Sequence, residues 1–218
     1  LIIFIYINCF IKKKIITGKN LTIIDIFVTN DAKQNANFYP PFQNKKKEIL
    51  FVPTFIQTFN YFKLFKIIHT ISKNNNYLFK EHNLSIADLF YSFFHIFRRK
   101  KFLKLKFFYK NFDLSEIVHE EIKNFNDFNS IFIGLLNYKF FKNLKIKKVK
   151  INKTINWFEN QIIDKGWNLG FRKFFKEAEE NSLGIQDFGK HYNMINNSPS
   201  YAESKAKVTP KKITVISK

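Results

Sequence analysis

The sequence predicts an α/β fold in which helices cover a mainly parallel β-sheet. Short runs rich in Ile and Val, typical of buried strands, alternate with longer runs whose apolar residues recur at helical spacing. Hydrophobic residues make up 45% and aromatic residues 18% of the 218 residues, which is enough to build a core. Strands that alternate with helices favour a parallel sheet, because each helix carries the chain back to the start of the next strand.

Strands are predicted at five places along the chain. The first two are "LTIIDIFV" (21–28) and "KEILFVPTF" (47–55), separated by a polar, proline-containing loop at 29–47. The other three are "VKINKTINWF" (149–158), "SLGIQDF" (182–188) and "TPKKITVISK" (209–218). All five are short and rich in β-branched or aromatic residues, as strands usually are.

Helices are predicted between these strands. Residues 59–73 have a broad apolar face, and a second helix follows in which Ser85 is the N-cap and Asp88 lies three residues later. Residues 113–150 predict two more helices, and another begins at Ile162. Near the end of the chain, Ser198 as N-cap and Pro199 in the first turn predict a short helix.

Two segments leave alternatives open. Residues 1–11 are apolar but shorter than the roughly 20 residues that span a bilayer, so they predict a buried strand or helix, or the remainder of a clipped membrane anchor. Residues 93–112 alternate cations with Phe and Leu. They predict either an ordinary helix whose lysine stems cover a Phe core, or an element that lies against an anionic membrane.

Charge and composition narrow the classes of partner and cofactor. The formal net charge is +20, which is typical of proteins that bind polyanions. Part of this charge follows from a bias toward Phe, Lys, Ile and Asn, all with AT-rich codons. Because there are only three arginines and no nucleic-acid-binding motif, we do not expect nucleic acid as the partner. A single cysteine, Cys9, suits a reducing compartment, and the five scattered histidines predict no metal site.

The stretch at 151–172 differs from the rest in holding both tryptophans and two of the six glycines. With Trp157 and Phe158 at the end of a strand, Glu159, Asn160 and Gln161 form the turn into a helix. Ligands bind at the carboxyl ends of parallel strands, so this turn is a candidate site.

The side chains around this turn allow two interpretations. Glu159 suits a general base or a partner of sugar hydroxyls, and Lys165 and Arg172 suit phosphate or carboxylate. Alternatively, Glu159 forms a structural salt bridge with one of these cations and Asn160 only caps the helix. Spacing indicates that Trp157 and Trp167 are core anchors, and that Gly166 and Gly170 let the helix approach its sheet closely.

The pattern W-F-E-N-Q-x-x-D-K-G-x-N-x-G-F-R at 157–172 resembles a segment of surface- and capsular-polysaccharide biosynthesis proteins of the GT-B glycosyltransferase type. Later pieces follow in that family's order: Gln186 in "LGIQDF", then Pro199, Ser200 and Glu203 in "SPSYAE", then Pro210, Ile213 and Val215 in "TPKKITVIS". The resemblance covers about residues 150–218. The sequence departs from the pattern at Asp187 and Phe188, and at Ser217, where a glycine is usual.

The resemblance implies a Rossmann-like layered domain that forms the N-terminal half of a GT-B architecture. Residues 1–45 would be a poorly defined N-terminal segment, 46–210 the acceptor-side domain, and 211–218 the start of a missing domain that grips a nucleotide-sugar. Because the chain lacks an initial Met and ends on a strand-like run, we expect a fragment, and we expect it to be inactive alone.

The implied activity is transfer of a sugar from a nucleotide-activated donor to a glycan or lipid-linked acceptor. Glu159 would be the catalytic base, Asn160, Gln161 and Gln186 would line the cleft, and Lys165 and Arg172 would support them or offset phosphate charge. No metal or other cofactor is expected beyond the donor substrate. The protein would be cytoplasmic, on the inner face of the membrane, with residues 93–112 toward anionic lipid. The alternatives are a non-catalytic binding module and a basic membrane-peripheral protein.

Overall fold

The computed structural model describes residues 1–14, 16, 20–28, 48–55, 60–187 and 198–216. Its strands are β1 (Leu21–Val28), β2 (Ile49–Phe55), β3 (Phe108–Tyr109), β4 (Phe112–Asp113), β5 (Ile151–Trp157), β6 (Ser182–Asp187) and β7 (Lys212–Ile216). Five of them form one sheet in the order β2-β1-β5-β6-β7, and every neighbouring pair in it is parallel. The predicted α/β fold, a Rossmann-like layered domain with a mainly parallel sheet, is confirmed.

The order of strands in the sheet reverses between β1 and β5. β2 lies on one side of β1, whereas β5, β6 and β7 follow one another on the other side. In open α/β sheets, ligands bind outside the carboxyl ends of the strands at such a reversal. The carboxyl end of β5 leads directly into residues 158–161, so this turn lies beside the reversal.

Helices cover both faces of the sheet. The described α-helices are α1 (Ile2–Phe10), α2 (Tyr61–Ser72), α3 (Ile86–Phe93), α4 (His95–Arg99), α5 (Ser115–Asn124), α6 (Phe128–Ile146), α7 (Ile162–Phe174) and α8 (Tyr201–Lys205). Short 3-10 helices occur at Lys80–Asn83, Lys100–Lys104 and Lys176–Asn181. None of the helices in these described ranges is long and apolar enough to cross a membrane.

Alternate residues of β1 enter two separate hydrophobic clusters. Ile24 and Ile26 pack with α1 and α2 on one face, whereas Ile23 packs with α6 and α7 on the other. The sheet is therefore the middle of three layers. Burial on both faces explains why β1 reads as a nearly continuous apolar run rather than as an alternating one.

Helices α6 and α7 touch through their backbones at a pair of glycines. An added Cβ on Gly166 would lie 1.9 Å from the carbonyl oxygen of Gly134, and one on Gly170 would lie 3.0 Å from the Phe141 ring. The sequence predicted that Gly166 and Gly170 bring α7 close to the sheet. That prediction is wrong, because the close approach is to α6.

Most predicted elements are present with small shifts in their ends. The five strands, the helix at 59–73, the cap of α3 by Ser85 and Asp88, and the two helices after residue 113 are confirmed in the described ranges. Residues 1–11 were predicted to be either a buried strand or helix, or the remainder of a clipped membrane anchor. They form α1, and Ile7 is the buried residue of that helix. The loop predicted at 29–47 lies outside the described residues.

Two local predictions are wrong. The short helix near the end of the chain starts at Tyr201 rather than at Pro199, because Ser200 caps it and exchanges hydrogen bonds with Glu203. Residues 93–112 are not one helix over a Phe core. They form the end of α3, α4, a 3-10 helix and the β3–β4 hairpin, and most of their aromatic rings are exposed.

The sheet includes strands from both sides of the predicted boundaries at 45/46 and 210/211. β1 pairs with both β2 and β5, and β7 pairs with β6 along five residues. Residues 21–28 and 212–216 are thus structural parts of the same layer as residues 49–55 and 151–187.

Candidate functional site

The chain turns from β5 into α7 within a few residues at the carboxyl edge of the sheet. Asn160 has a φ of 57°, in the left-handed region that asparagine tolerates better than most residues. This conformation reverses the chain so that Gln161 becomes the N-cap of α7. Asn160 was predicted to be the cap, and that prediction is wrong.

The carboxylate of Glu159 is held through both of its oxygens. Oε1 accepts a hydrogen bond of 2.7 Å from the indole Nε1 of Trp157, and Oε2 accepts one of 2.7 Å from Nε2 of Gln161. Glu159 is partly exposed. Because an ionised carboxylate has about four acceptor positions, each oxygen can still accept a hydrogen bond from a ligand.

Trp157 was predicted to be a core anchor, and that prediction is wrong. Its side chain is partly exposed and orients Glu159, whereas Trp167 is fully buried as predicted. The signal that could have indicated this is the two-residue spacing of Trp157 and Glu159. Side chains two residues apart at the end of a strand can project to the same side of the sheet. Sequence alone could not show that the indole N–H points at Glu159.

Asp164 holds the turn in place through hydrogen bonds to its backbone. Its Oδ2 accepts hydrogen bonds from the backbone N–H groups of Glu159 and Gln161, at 2.9 and 3.0 Å. Burial raises the pKa of Asp164 to about 7, and these two N–H groups act in the opposite direction by favouring the carboxylate. Asp164 is 2% exposed, so it holds the turn rather than meeting a ligand.

Lys165 pairs with Glu203 rather than with Glu159. Its Nζ lies 2.7 Å from Oε1 of Glu203, whose other oxygen accepts from Ser200 and, at 3.4 Å, from Nδ2 of Asn160. The Lys165 ammonium and the N–H of Ser200 lower the pKa of Glu203 to about 2. This pair fixes α8 and the Glu159 turn to each other.

Arg172 lies away from the turn. It is ten residues beyond Ile162, which corresponds to about 15 Å along the helix axis. Its Nε and Nη2 donate to Oε1 of Glu179 at 3.0 and 2.8 Å, and Nη1 donates to the carbonyl of Thr209 at 3.0 Å. The guanidinium is buried and joins α7 to the segment before β7. The structure therefore does not bring Arg172 together with Glu159.

Gln186 is buried near the carboxyl end of β6, the strand next to β5. Alternation along β6 places it on the same face as Ser182, whose hydroxyl donates to Asn168 of α7. Since Trp157 pairs with Ile185, Gln186 lies one step further toward the turn. The structure thus places Glu159, Asn160, Gln161, Lys165 and Gln186 at one edge of the sheet.

The structure also contains a buried polar network that the sequence did not predict, which joins β1, β2 and α6. Thr54 donates to Asp25 at 2.8 Å, and Nζ of Lys80 donates to Thr54 and to Asn137, both at 2.8 Å. Burial raises the pKa of Asp25 and lowers that of Lys80. The signal that could have indicated it is a lone carboxylate within the apolar strand "LTIIDIFV".

The network connects β1 and β2 to the start of α7, because Nδ2 of Asn137 donates to the carbonyl of Ile163 at 3.4 Å. It therefore holds α7 against the strands beside the reversal of strand order. Within the described part of the chain, no group of His, Cys, Asp or Glu is arranged to hold a metal ion.

The chain was compared with protein-family models, with curated proteins and with solved structures, and none of the three searches found a significant match.

Proposed function

We propose that this chain is the acceptor-side domain of a sugar transferase of surface glycan assembly. The sugar would pass from a nucleotide-activated donor to a hydroxyl of a glycan or lipid-linked acceptor. The observation that carries the proposal is the Glu159 carboxylate, which is partly exposed at the carboxyl edge and oriented through both oxygens. It lies beside the reversal of strand order, where open α/β sheets bind ligands.

In this proposal Glu159 is the general base. An acceptor hydroxyl donates a hydrogen bond to one of its oxygens, and the hydroxyl oxygen forms a bond to the anomeric carbon of the donor sugar. The bond from that carbon to the phosphate oxygen breaks, the nucleotide leaves with the bonding electron pair, and the hydroxyl proton passes to Glu159. Fixing the carboxylate in advance reduces the entropy lost when the reacting atoms align.

The other residues of the site bind or position. We assign contacts with the acceptor to Asn160 and Gln161, whereas Gln186 is 3% exposed and supports the site from within β6. The side-chain oxygen of Asn160 is buried, and within the described residues it has no hydrogen-bond partner, so a hydroxyl that reached it would satisfy it. Lys165 acts through its ion pair with Glu203, which holds the turn.

In this proposal Arg172 has a structural role and does not contact the substrates. Its guanidinium is bound to Glu179 and to the carbonyl of Thr209, so it holds the end of α7 in place. The donor phosphates would be met by the second domain that the GT-B resemblance implies. The proposal therefore concerns the whole protein, and this domain supplies the acceptor side.

Glu159→Gln in the full-length protein tests the proposal. The amide keeps the size of the side chain but cannot take a proton, so turnover should fall by about 10²- to 10⁴-fold. The measurement is nucleotide release from a panel of diphosphate-linked sugars in the presence of membrane and glycan extracts. Glu177→Gln is the matched control, because Glu177 is exposed and forms an ion pair with Lys145, outside the site.

Normal turnover by a folded Glu159→Gln protein would exclude Glu159 as the base. Thermal unfolding of both variants separates loss of chemistry from loss of fold. If turnover is unchanged while acceptor binding is lost, the domain is a binding module rather than a catalytic one.

A further inference from the structure

A cluster of exposed aromatic and basic side chains lies between α3 and α5. We call residues 90–112 the aromatic–basic segment. It contains seven cations and no carboxylate: Arg98, Arg99, Lys100, Lys101, Lys104, Lys106 and Lys110. Within the described chain, ten of the 22 exposed large hydrophobic residues also fall in it: Phe90, Tyr91, Phe93, Phe94, Phe97, Phe102, Leu105, Phe108, Tyr109 and Phe112. Exposed apolar surface at this density marks an interaction site.

Short elements present these rings to solvent. Phe90 stacks on Phe94 with ring centroids 6.0 Å apart, and Phe94 contacts Phe97 at 5.8 Å, which gives a continuous aromatic row along α3 and α4. The β3–β4 hairpin pairs Tyr109 with Phe112, both exposed. Lys110, at its tip, has a φ of 54°. The hairpin therefore ends in two rings and a cation.

The rest of the described chain offsets little of the segment's charge: hydrogen bonds from Ser115, together with Lys106, lower the pKa of the exposed Asp113, which follows the segment directly. None of its seven cations forms an ion pair there. The glutamates of α5, which follows directly, are exposed and also unpaired with the segment. A partner with negative charge and an apolar layer beneath it would satisfy both the cations and the rings.

We propose that the aromatic–basic segment docks on the surface of an anionic lipid bilayer. The rings of the hairpin and of α4 enter the boundary between headgroups and acyl chains, and the lysine ammonium groups remain among the lipid phosphates. This proposal rests on the charge and the exposed rings of the segment, and it does not depend on the proposed sugar transfer.

The side chains favour a bilayer over nucleic acid. Both arginines, the side chains best suited to grip a phosphate with two N–H groups, already make contacts within the protein. The Arg98 guanidinium lies 3.8 Å from the centre of the Tyr91 ring, and Arg99 donates to the carbonyl of Phe125. The remaining cations are exposed lysines, which act as point charges on any anionic surface.

The segment also borders the candidate site. A cavity of about 330 Å³ extends along α7 from Ile162 to Lys173, and its lining includes Tyr91 of the segment and Lys165 of the candidate site. Docking through the aromatic–basic segment would bring the opening of this cavity close to the headgroups.

The test is sedimentation of the full chain with vesicles. One set is pure phosphatidylcholine, and in the other about a third of the lipid is phosphatidylserine, which gives a negative surface potential. We expect binding to the second set and little to the first. Each lysine near such a surface contributes about fivefold in affinity, so replacing three should weaken binding on the order of 100-fold. The charge variant is K100Q/K101Q/K104Q, and its matched control, with the same net charge, is K63Q/K66Q/K73Q.

A second pair of variants tests the rings. F108S/Y109S/F112S removes the hairpin tip, and F62S/Y201S removes exposed rings elsewhere. Insertion of the rings predicts a loss of at least about tenfold for the first and no change for the second. A fluorophore on Lys110→Cys in a Cys9→Ser background should shift to the blue on vesicles, whereas one on Tyr201→Cys should not.

Three results would overturn the proposal. The first is no preference for anionic vesicles. The second is equal loss in the charge variant and its control, which would reflect net charge alone. The third is tighter binding to a single-stranded oligonucleotide than to vesicles, which would assign the segment to nucleic acid. Thermal unfolding of every variant shows whether a loss of binding comes from a loss of fold.

Discussion

Gly166→Ala should destabilise the protein by forcing α6 and α7 apart. The new Cβ would lie 1.9 Å from the carbonyl oxygen of Gly134, whereas real Cβ contacts essentially never fall below 3.0 Å. The helices must therefore move by at least 3.0 − 1.9 = 1.1 Å. The obstructing atom belongs to the backbone, so no side chain can rotate to relieve the contact. A gap of about 1 Å forfeits up to half of the dispersion energy of the atoms that it separates.

The magnitude follows from two opposing effects. Overpacking typically costs about 1–3 kcal/mol, and a backbone obstruction belongs at the upper end of that range. Alanine is favoured over glycine inside a helix by about 1 kcal/mol, which offsets part of the cost. We expect the free energy of unfolding to fall by about 2 kcal/mol or more.

Urea denaturation followed by circular dichroism measures this change, and Gly170→Ala is the matched comparison. A Cβ on Gly170 would lie 3.0 Å from the Phe141 ring and from Cα of Tyr138, so a shift of a few tenths of an ångström suffices. Here the helix propensity should nearly cancel the cost. If Gly166→Ala proved as stable as the natural protein, the described contact between the two helices would be incorrect.

Three further substitutions test the site and its supports. Burial raises the pKa of Asp164 to about 7 from an unfolded value near 3.9, so the folded state keeps a proton that the unfolded state has lost, and stability declines as pH rises from about 4 to 7. Between about pH 4 and pH 7 this amounts to about 3 kcal/mol, and Asp164→Asn should remove that much of the pH dependence measured by urea denaturation. Trp157→Phe removes the donor that orients Glu159, so turnover should fall about tenfold while the melting temperature changes little. Arg172→Met leaves the partly buried Glu179 carboxylate with Lys207 as its remaining ion-pair partner and should lower the free energy of unfolding by about 3 kcal/mol, measured by chemical denaturation.

Features that depend on neighbouring residues could be predicted from the sequence. The cap of α3 follows from Ser85 and Asp88, which lie three residues apart and so exchange hydrogen bonds within one turn. The strands follow from runs of β-branched residues, and the parallel sheet follows from their alternation with helices. The Glu159 turn could be located for the same reason, because it lies between one strand and one helix.

Features that depend on distant residues could not be predicted in this way. The partner of Lys165 proved to be Glu203, 38 residues further along the chain, and Lys80 reaches Thr54 and Asn137 on other elements. Apolar spacing in residues 93–112 fitted a helix, but spacing does not show whether any surface exists for the rings to cover. A sequence pattern identifies an apolar face and leaves its partner open.

The position of β1 in the sheet has a consequence for biosynthesis. Leu21 of β1 pairs with Ile151 of β5, so these two neighbouring strands lie 151 − 21 = 130 residues apart in the chain. At a translation rate of roughly 5–20 residues per second, on the order of 10 seconds pass between the synthesis of β1 and that of β5. During this time β1 and β2 lack the neighbouring strand β5. Throughout that interval one edge of β1 offers unpaired N–H and C=O groups beside a strongly apolar run. The nascent chain therefore passes through a stage that is prone to aggregation, and its yield should depend on chaperones that bind extended apolar segments.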